Sequence, residues 1–197
     1  MDFINTLKNI ADSNGGLIEV SIAEKNGVSR AMLSKLCQRG AIERIARGQY
    51  VFPDNIDDEL YFLSQRSNNI IFSHETALFL NGISDRTPFE HTITVPSNKT
   101  PSQYIKSQCK IYYIKPELFN LGRTEIKTPA GNTVSCYDLE RTICDIVRNR
   151  KQIGSETFIA ALKMYASTHH KNLHKLNDYA KQLGLSNVIY QYMEVLL

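Results

Sequence analysis

The stretch VSRAMLSKLCQRGAIERIARGQY, residues 28–50, decides how the N-terminal part of this chain is read. It sets Arg30, Lys35, Arg39, Arg44 and Arg47 against a single acid, Glu43. A basic run is most often a solvated face, so what matters is where the apolar residues between the cations point. Leu33 and Leu36 stand three residues apart with Cys37 alongside, and a helix puts all three on one side. The other side then carries Arg30, Ala31, Ser34, Lys35 and Gln38, with Ser29 and Arg39 at its margins. These are cationic and hydrogen-bonding side chains with small ones between them, a surface able to approach base edges in a DNA groove.

The flanking residues extend the pattern. Upstream, VSIAEKNG predicts a short helix capped by Ser21 and running through Asn26, with Gly27 supplying a positive-φ turn. Ser29 predicts the cap of the second helix, which runs to about Gln38 and closes at Gly40. Ala23 is small enough to let the second helix cross closely, and Val28, Leu33 and Leu36 seat it. Those are the mechanical requirements of a helix-turn-helix. Before it, Phe3, Ile4, Leu7 and Ile10 predict an amphipathic helix that ends at SNGG, residues 13–16. After it, AIERIARGQYVF predicts a β-hairpin with Arg47 and Gly48 at its tip, which would make the unit a winged helix.

Charge position says more than charge total. Residues 1–52 hold seven Lys/Arg and five Asp/Glu, while 53–197 hold sixteen and fifteen, so the excess behind the formal net charge of +3 is local. Hydrophobic content of 42% and charged content of 22% over 197 residues fit one large or two small soluble domains. No apolar run reaches bilayer length, which argues against a membrane partner. The opening MDFINTLKNIADSNGG has no basic segment followed by an apolar one and does not read as a signal peptide. Cys37, Cys109, Cys136 and Cys144 form no CxxC pair and read as buried free thiols. The expectation is a soluble, cytoplasmic protein.

PDNIDDEL at 53–60 breaks the pattern with Pro53 and an acidic patch, and predicts the boundary between domains 1–52 and 53–197. Beyond it, DDELYFLSQRS reads as helix, NIIF as strand, and SHETALFLNG as a helix capped by Ser73 and ended by Gly82. HTITVP (91–96) and KIYYI (110–114) are β-rich, and RTEIKTPAGNTVSCY is a hairpin turning at PAGN. DLERTICDIVRNR is amphipathic through Leu139, Ile143, Ile146 and Val147. From Ser155 the tail predicts three helical stretches, broken near HHKN and at GLSN. The fold class is α+β: a winged helix-turn-helix followed by a larger mixed domain with a helical tail.

FSHETALFLNGISDRTP, HTITVP and VSCYDLERTICDIVRNR, in that order behind a small winged helix, resemble the AbiEi family of antitoxins. The resemblance implies an antitoxin of the AbiE abortive-infection system, a phage-defence toxin–antitoxin system usually placed in the type IV class. It implies a winged helix that binds inverted repeats in its own promoter and represses it. It also implies a C-terminal domain that counteracts an AbiEii-like nucleotidyltransferase toxin without a stable complex. No catalytic role transfers to any position of these motifs.

The residues themselves offer no enzyme chemistry or cofactor site. His74–Glu75 begins like HExxH, but Leu78 stands where the second His would be, and Glu75 in a first helical turn suits the helix dipole. His170 and His174 fall at i, i+4, behind His169, with no Cys or carboxylate near in sequence to complete a metal site. Asp138, Glu140, Arg141 and Asp145 share a helix and read as surface ion pairs. Arg148, Arg150, Lys151, Lys163, Lys171, Lys175 and Lys181 form a second basic set, a solvated face or an antitoxin surface. For DNA, Ser29, Arg30, Ser34, Lys35 and Gln38 are expected at base edges, and Arg39, Arg44, Arg47 and Gln49 at phosphates or the minor groove. A winged-helix repressor with a ligand-sensing or dimerising C-terminal domain and no toxin partner is the alternative.

Overall fold

The computed structural model describes residues 2–53, 58–84 and 86–196. The chain divides into two compact units, one of residues 1–66 with 128–132 and one of 67–127 with 133–197. Most of the acidic segment expected at the boundary, residues 54–57, lies outside the described residues.

The first unit begins with helix α1 (Phe3–Ser13), capped by Asp2, whose carboxylate accepts from the Ile4 and Asn5 amides. Strand β1 (Leu17–Glu19) leads directly into α2 (Val20–Lys25), and α3 (Arg30–Gln38) follows. A hairpin of β2 (Glu43–Ala46) and β3 (Gln49–Val51) comes next, then α4 (Glu59–Gln65). The strands form an antiparallel sheet in the order β1-β3-β2. Leu7, Ile10, Ala11, Ile18, Ala23, Val28, Leu33, Leu36, Ile42 and Tyr50 make one core. Leu17, Val51 and Phe62 make a second, smaller one. Adjacent residues Leu17 and Ile18 thus enter different cores, and a strand buried on both faces shows no alternation in sequence.

Two local expectations differ from the structure here. Ser21 is not a cap: α2 starts at Val20, Glu19 holds the N-cap position, and the Val20 amide donates to the Gly48 carbonyl at 2.9 Å. The hairpin tip therefore satisfies the helix end that a side chain was expected to serve. Gln49, at the start of the central strand β3, is half-buried, and its Oε1 has no hydrogen-bond partner. Elsewhere the unit is closely fitted. Buried Asp58 caps α4 through the Tyr61 amide at 3.0 Å and accepts from Thr128 Oγ1 and, at 2.9 Å, from Asn132 Nδ2. Gly15 has φ +59°, and a Cβ there would sit 2.5 Å from Asn132 Oδ1, so both backbone and packing require glycine.

The second unit is built on a five-stranded sheet. It contains β4 (Ile71–Phe72), α5 (His74–Leu80), β5 (His91–Pro96), α6 (Gln103–Gln108) and β6 (Cys109–Ile114). Strands β7 (Arg123–Lys127) and β8 (Thr133–Tyr137) follow, then α7 (Leu139–Arg148), α8 (Ser155–Ser167), α9 (Leu173–Leu183) and α10 (Ser186–Leu196). The sheet order is β6-β5-β4-β8-β7, with β5–β6 and β4–β8 parallel and the other pairs antiparallel. The architecture is α+β with two separate sheets. The three C-terminal helices expected from the sequence are present, and α6 is an element the sequence did not reveal.

Helix α7 is the axis of this unit, and every residue from Glu140 to Val147 is buried. The surface ion pairs expected along it are instead interior. Arg141 is fully buried; its Nε donates to both oxygens of buried Asp145 at 3.1 Å. Its Nη1 donates to the Leu118 and Leu121 carbonyls at 3.0 and 2.6 Å, and its guanidinium lies 4.2 Å over the Tyr137 ring. The neighbouring Gly122, φ +76°, leaves no room for a Cβ, which would meet the Arg141 Cβ at 2.5 Å.

Candidate nucleic-acid interface

Helix α3 is positioned by both ends and by its underside. Ser29 accepts from the Met32 amide at 3.3 Å, as its sequence position predicts. Gly27 (φ +82°) makes the turn into it, and Gly40 (φ +70°) follows its end. Leu33 is fully buried and Leu36 nearly so, on a core shared with Ala23, Val28, Ile42 and Tyr50. Cys37, expected inside, is half-buried at the edge. With the leucines so placed, Ser29, Arg30, Ser34, Lys35, Gln38 and Arg39 are all exposed.

The hairpin that packs on the same core adds two more cations. Arg44 and Arg47 are exposed, and Gly48 makes the turn with φ +79°. Register shifts between Arg44 and Ala46, a bulge at Ile45, and the Arg44 Nε donates to the Ala46 carbonyl at 3.3 Å. That contact steadies the guanidinium along the hairpin and leaves its terminal nitrogens open. Bulges commonly re-aim a side chain in this way.

The expected contact residues are not equally available. Lys35, Ser34, Gln38, Arg39 and Arg47 are exposed. The Ser29 oxygen is committed to the helix cap, which leaves its hydroxyl proton to donate. Arg30 is held by Glu24, with Nε–Oε1 at 3.0 Å and Nη2–Oε2 at 3.4 Å. Its side chain is nonetheless 76% exposed, so the pair is worth less than about 1 kcal/mol and is easily exchanged for a phosphate. Sequence reasoning missed Glu24. The signal was its place in the last turn of α2, which the Gly27 turn returns toward the first residue of α3.

The second basic set is scattered among different roles. Arg148, Arg150, Lys151, Lys163 and Lys181 are exposed. Lys171 is half-buried and donates to the Thr168 carbonyl at 3.0 Å. Lys175 pairs with Asp138 at 3.0 Å, and Lys181 lies 3.9 Å from Asp178. Asp138 also caps α7 and accepts from the Tyr179 hydroxyl at 2.9 Å, so Lys175 belongs to a structural network.

The His74 region is a packed polar knot. His74 takes φ +47°, is nearly wholly buried, and stacks on Tyr112 with centroids 3.5 Å apart. Its Nε2 accepts from Asn149 Nδ2 at 2.9 Å, which assigns the proton to Nδ1, 2.9 Å from Ser73 Oγ. Ser73 holds the N-cap position of α5 without capping it; Thr92 Oγ1 accepts from the Thr76 amide instead, at 2.9 Å. Burial, with Lys110, Arg141 and Arg148 adding to it, holds the imidazole well below its ordinary pKa. Burial likewise raises the Cys144 thiol to about 12 and raises Cys136, so neither is a ready nucleophile. Among the described residues no three His, Cys, Asp or Glu come together to hold a metal ion, and no helix is long and apolar enough to cross a membrane. His174 is paired with Asp178 at 3.2 Å.

Residues 5–53 match the family described as "Transcriptional regulator, AbiEi antitoxin". The match lies in the N-terminal unit, and the C-terminal motifs that resemble the same family fall outside it. The crystal structure of the RV2827C protein from Mycobacterium tuberculosis is similar to this chain, with a TM-score of 0.69 at 15% identity. That similarity covers 100% of this chain and 76% of the other, and at such identity it bears on the fold alone. No protein of curated function matches the chain.

Proposed function

We propose, from the match of residues 5–53 to the AbiEi antitoxin transcriptional regulators, that this chain is the autorepressing antitoxin of an abortive-infection system. In this proposal residues 1–52 act as a winged helix on inverted repeats in the chain's own promoter. Helix α3 enters the major groove, with Lys35, Ser34, Gln38, Arg30 and the Ser29 hydroxyl at base edges. The β2–β3 hairpin is the wing, and Arg44, Arg47 and Arg39 neutralise phosphates, with Gln49 behind them at the strand start. Residues 53–197 counteract a nucleotidyltransferase-like toxin, without a stable complex and without catalysis by this chain. Arg148, Arg150, Lys151, Lys163 and Lys181 are the exposed part of the surface that would serve this role, and Lys171 and Lys175 are already engaged.

The single observation that carries the proposal is the division of α3: Leu33 and Leu36 buried beneath, a cationic and hydrogen-bonding face open above. A reporter gene fused to the chain's own upstream region tests repression, and co-expression with the adjacent gene tests neutralisation. Repression lost on scrambling the inverted repeats, with relief of growth arrest caused by the neighbour, is the expected result. Unchanged reporter output on removing the protein contradicts it. The alternative, a repressor with a ligand-sensing C-terminal domain and no toxin, is favoured by one feature, a cavity in the second unit lined from α5 and α8. A neighbour that causes no growth arrest would select it.

A further inference from the structure

The second unit contains a cavity of about 670 Å3, within the size range of small-molecule sites. Helices α5 and α8 and the segment leading into β5 line it. Part of its wall is apolar, from Leu78, Ile83, Ala161, Met164 and Phe89. Phe89 is fully exposed and Met164 is 46% exposed, so a bound apolar body would find both uncovered.

The polar groups of the cavity differ in how far they are already satisfied. Arg86 and Glu156 pair with each other at 3.8 Å, both well exposed. Lys110 donates to the Gln152 carbonyl at 3.0 Å and lies 5.3 Å over the Tyr112 ring. Glu90 is an exposed carboxylate. Glu75 is only partly satisfied: Lys110 is near enough to act on it electrostatically, but its Oε2 is buried and has no hydrogen-bond partner. A carboxylate oxygen shielded from water calls for a donor, and a charged donor answers it best. Three carboxylates, Glu75, Glu90 and Glu156, line the cavity against two cations, Arg86 and Lys110, so the balance disfavours an anion, while a neutral apolar molecule would leave Oε2 unpaired.

We propose that this cavity binds a small organic cation, an ammonium, amidinium or guanidinium group on an apolar body. Glu75 is the counter-ion, and Leu78, Met164 and Phe89 hold the body. Phe89 also presents an aromatic face to the positive charge.

Benzamidine, its neutral isostere benzamide and its anionic counterpart benzoate separate charge from shape. Titration calorimetry on the full chain is expected to give benzamidine a Kd of about millimolar or below, in keeping with so small a ligand. Benzamide should bind at least about tenfold more weakly, and benzoate not at all. Glu75→Gln should erase the benzamidine preference. Ala160→Trp, at an exposed position of the cavity lining, should abolish binding while leaving the melting temperature unchanged. Equal affinity for benzamide, an undiminished benzamidine preference in Glu75→Gln, retention of benzamidine binding by Ala160→Trp, or no binding of any of the three overturns the proposal.

Discussion

Replacing Arg141 with methionine tests the interior of the C-terminal unit. The substitution keeps much of the side-chain volume and removes the charge. Asp145, 3% exposed, then loses the donor that bonds both of its oxygens at 3.1 Å. The Leu118 and Leu121 carbonyls lose the Nη1 that holds them at 3.0 and 2.6 Å, and Tyr137 loses a stacked guanidinium. Removing one partner of a buried pair costs about 3–5 kcal/mol, because the remaining charge stays buried without its partner. A domain is stable by about 5–15 kcal/mol in total, so about a fifth or more of that is lost. The melting temperature should fall by roughly 10–20 °C. Circular dichroism of the full chain reads that shift, and hydrogen exchange of amides 139–148 assigns it to α7. Arg141→Met/Asp145→Leu should recover part of the loss, since no lone charge remains. A fall of only a few degrees in the single variant, or a double variant worse than both singles, would refute the buried-pair argument.

His74 is neutral in the fold but free to protonate on unfolding, so the unfolded chain binds more protons below a pH of about 6.5. Stability therefore falls with pH from that point at up to about 1.4 kcal/mol per unit, until the buried imidazole itself takes a proton. His74→Asn, a residue that tolerates positive φ, should flatten this slope in melting curves between pH 7 and 5.5; an unchanged slope would contradict it. Glu24→Gln frees Arg30 and removes an acid beside α3, so affinity for any duplex should rise severalfold and its salt dependence steepen by up to about 0.9. Fluorescence-anisotropy titrations at two salt concentrations check this, and an unaltered affinity would show that Arg30 makes no DNA contact.

Much of the first unit was legible because each local signal agreed with the others. Ser29, Gly27, Gly40 and the Leu33/Leu36 pair all specify the same helix ends and the same buried side. Strand β1 was not legible: a three-residue strand with Leu17 and Ile18 buried in different cores carries neither alternation nor length. Ser21 and Ser73 misled for one reason. Both stand near a helix start, but the helix-end amides there are met from afar, by the Gly48 carbonyl and by Thr92 Oγ1. Helix α7 misled more seriously. Arg141 and Asp145 at i, i+4 look like a surface pair, and burial comes from the surrounding elements, which no local pattern contains. For the candidate DNA face, the exposed positions followed from helical period alone. The Glu24 clasp on Arg30 and the half-buried state of Gln49 required tertiary geometry.

The central claim is that α3 and the hairpin divide the work of holding and reading a duplex. Titrating the full chain, Lys35→Ala and Arg47→Ala against the chain's own promoter and a scrambled duplex, at two salt concentrations, tests it directly. Arg47→Ala should weaken both duplexes alike and flatten the salt slope by about 0.9. Lys35→Ala should weaken the promoter selectively, by about 1–3 kcal/mol. A wild-type protein with no preference for its promoter, or variants with unchanged affinity and slope, would contradict the account.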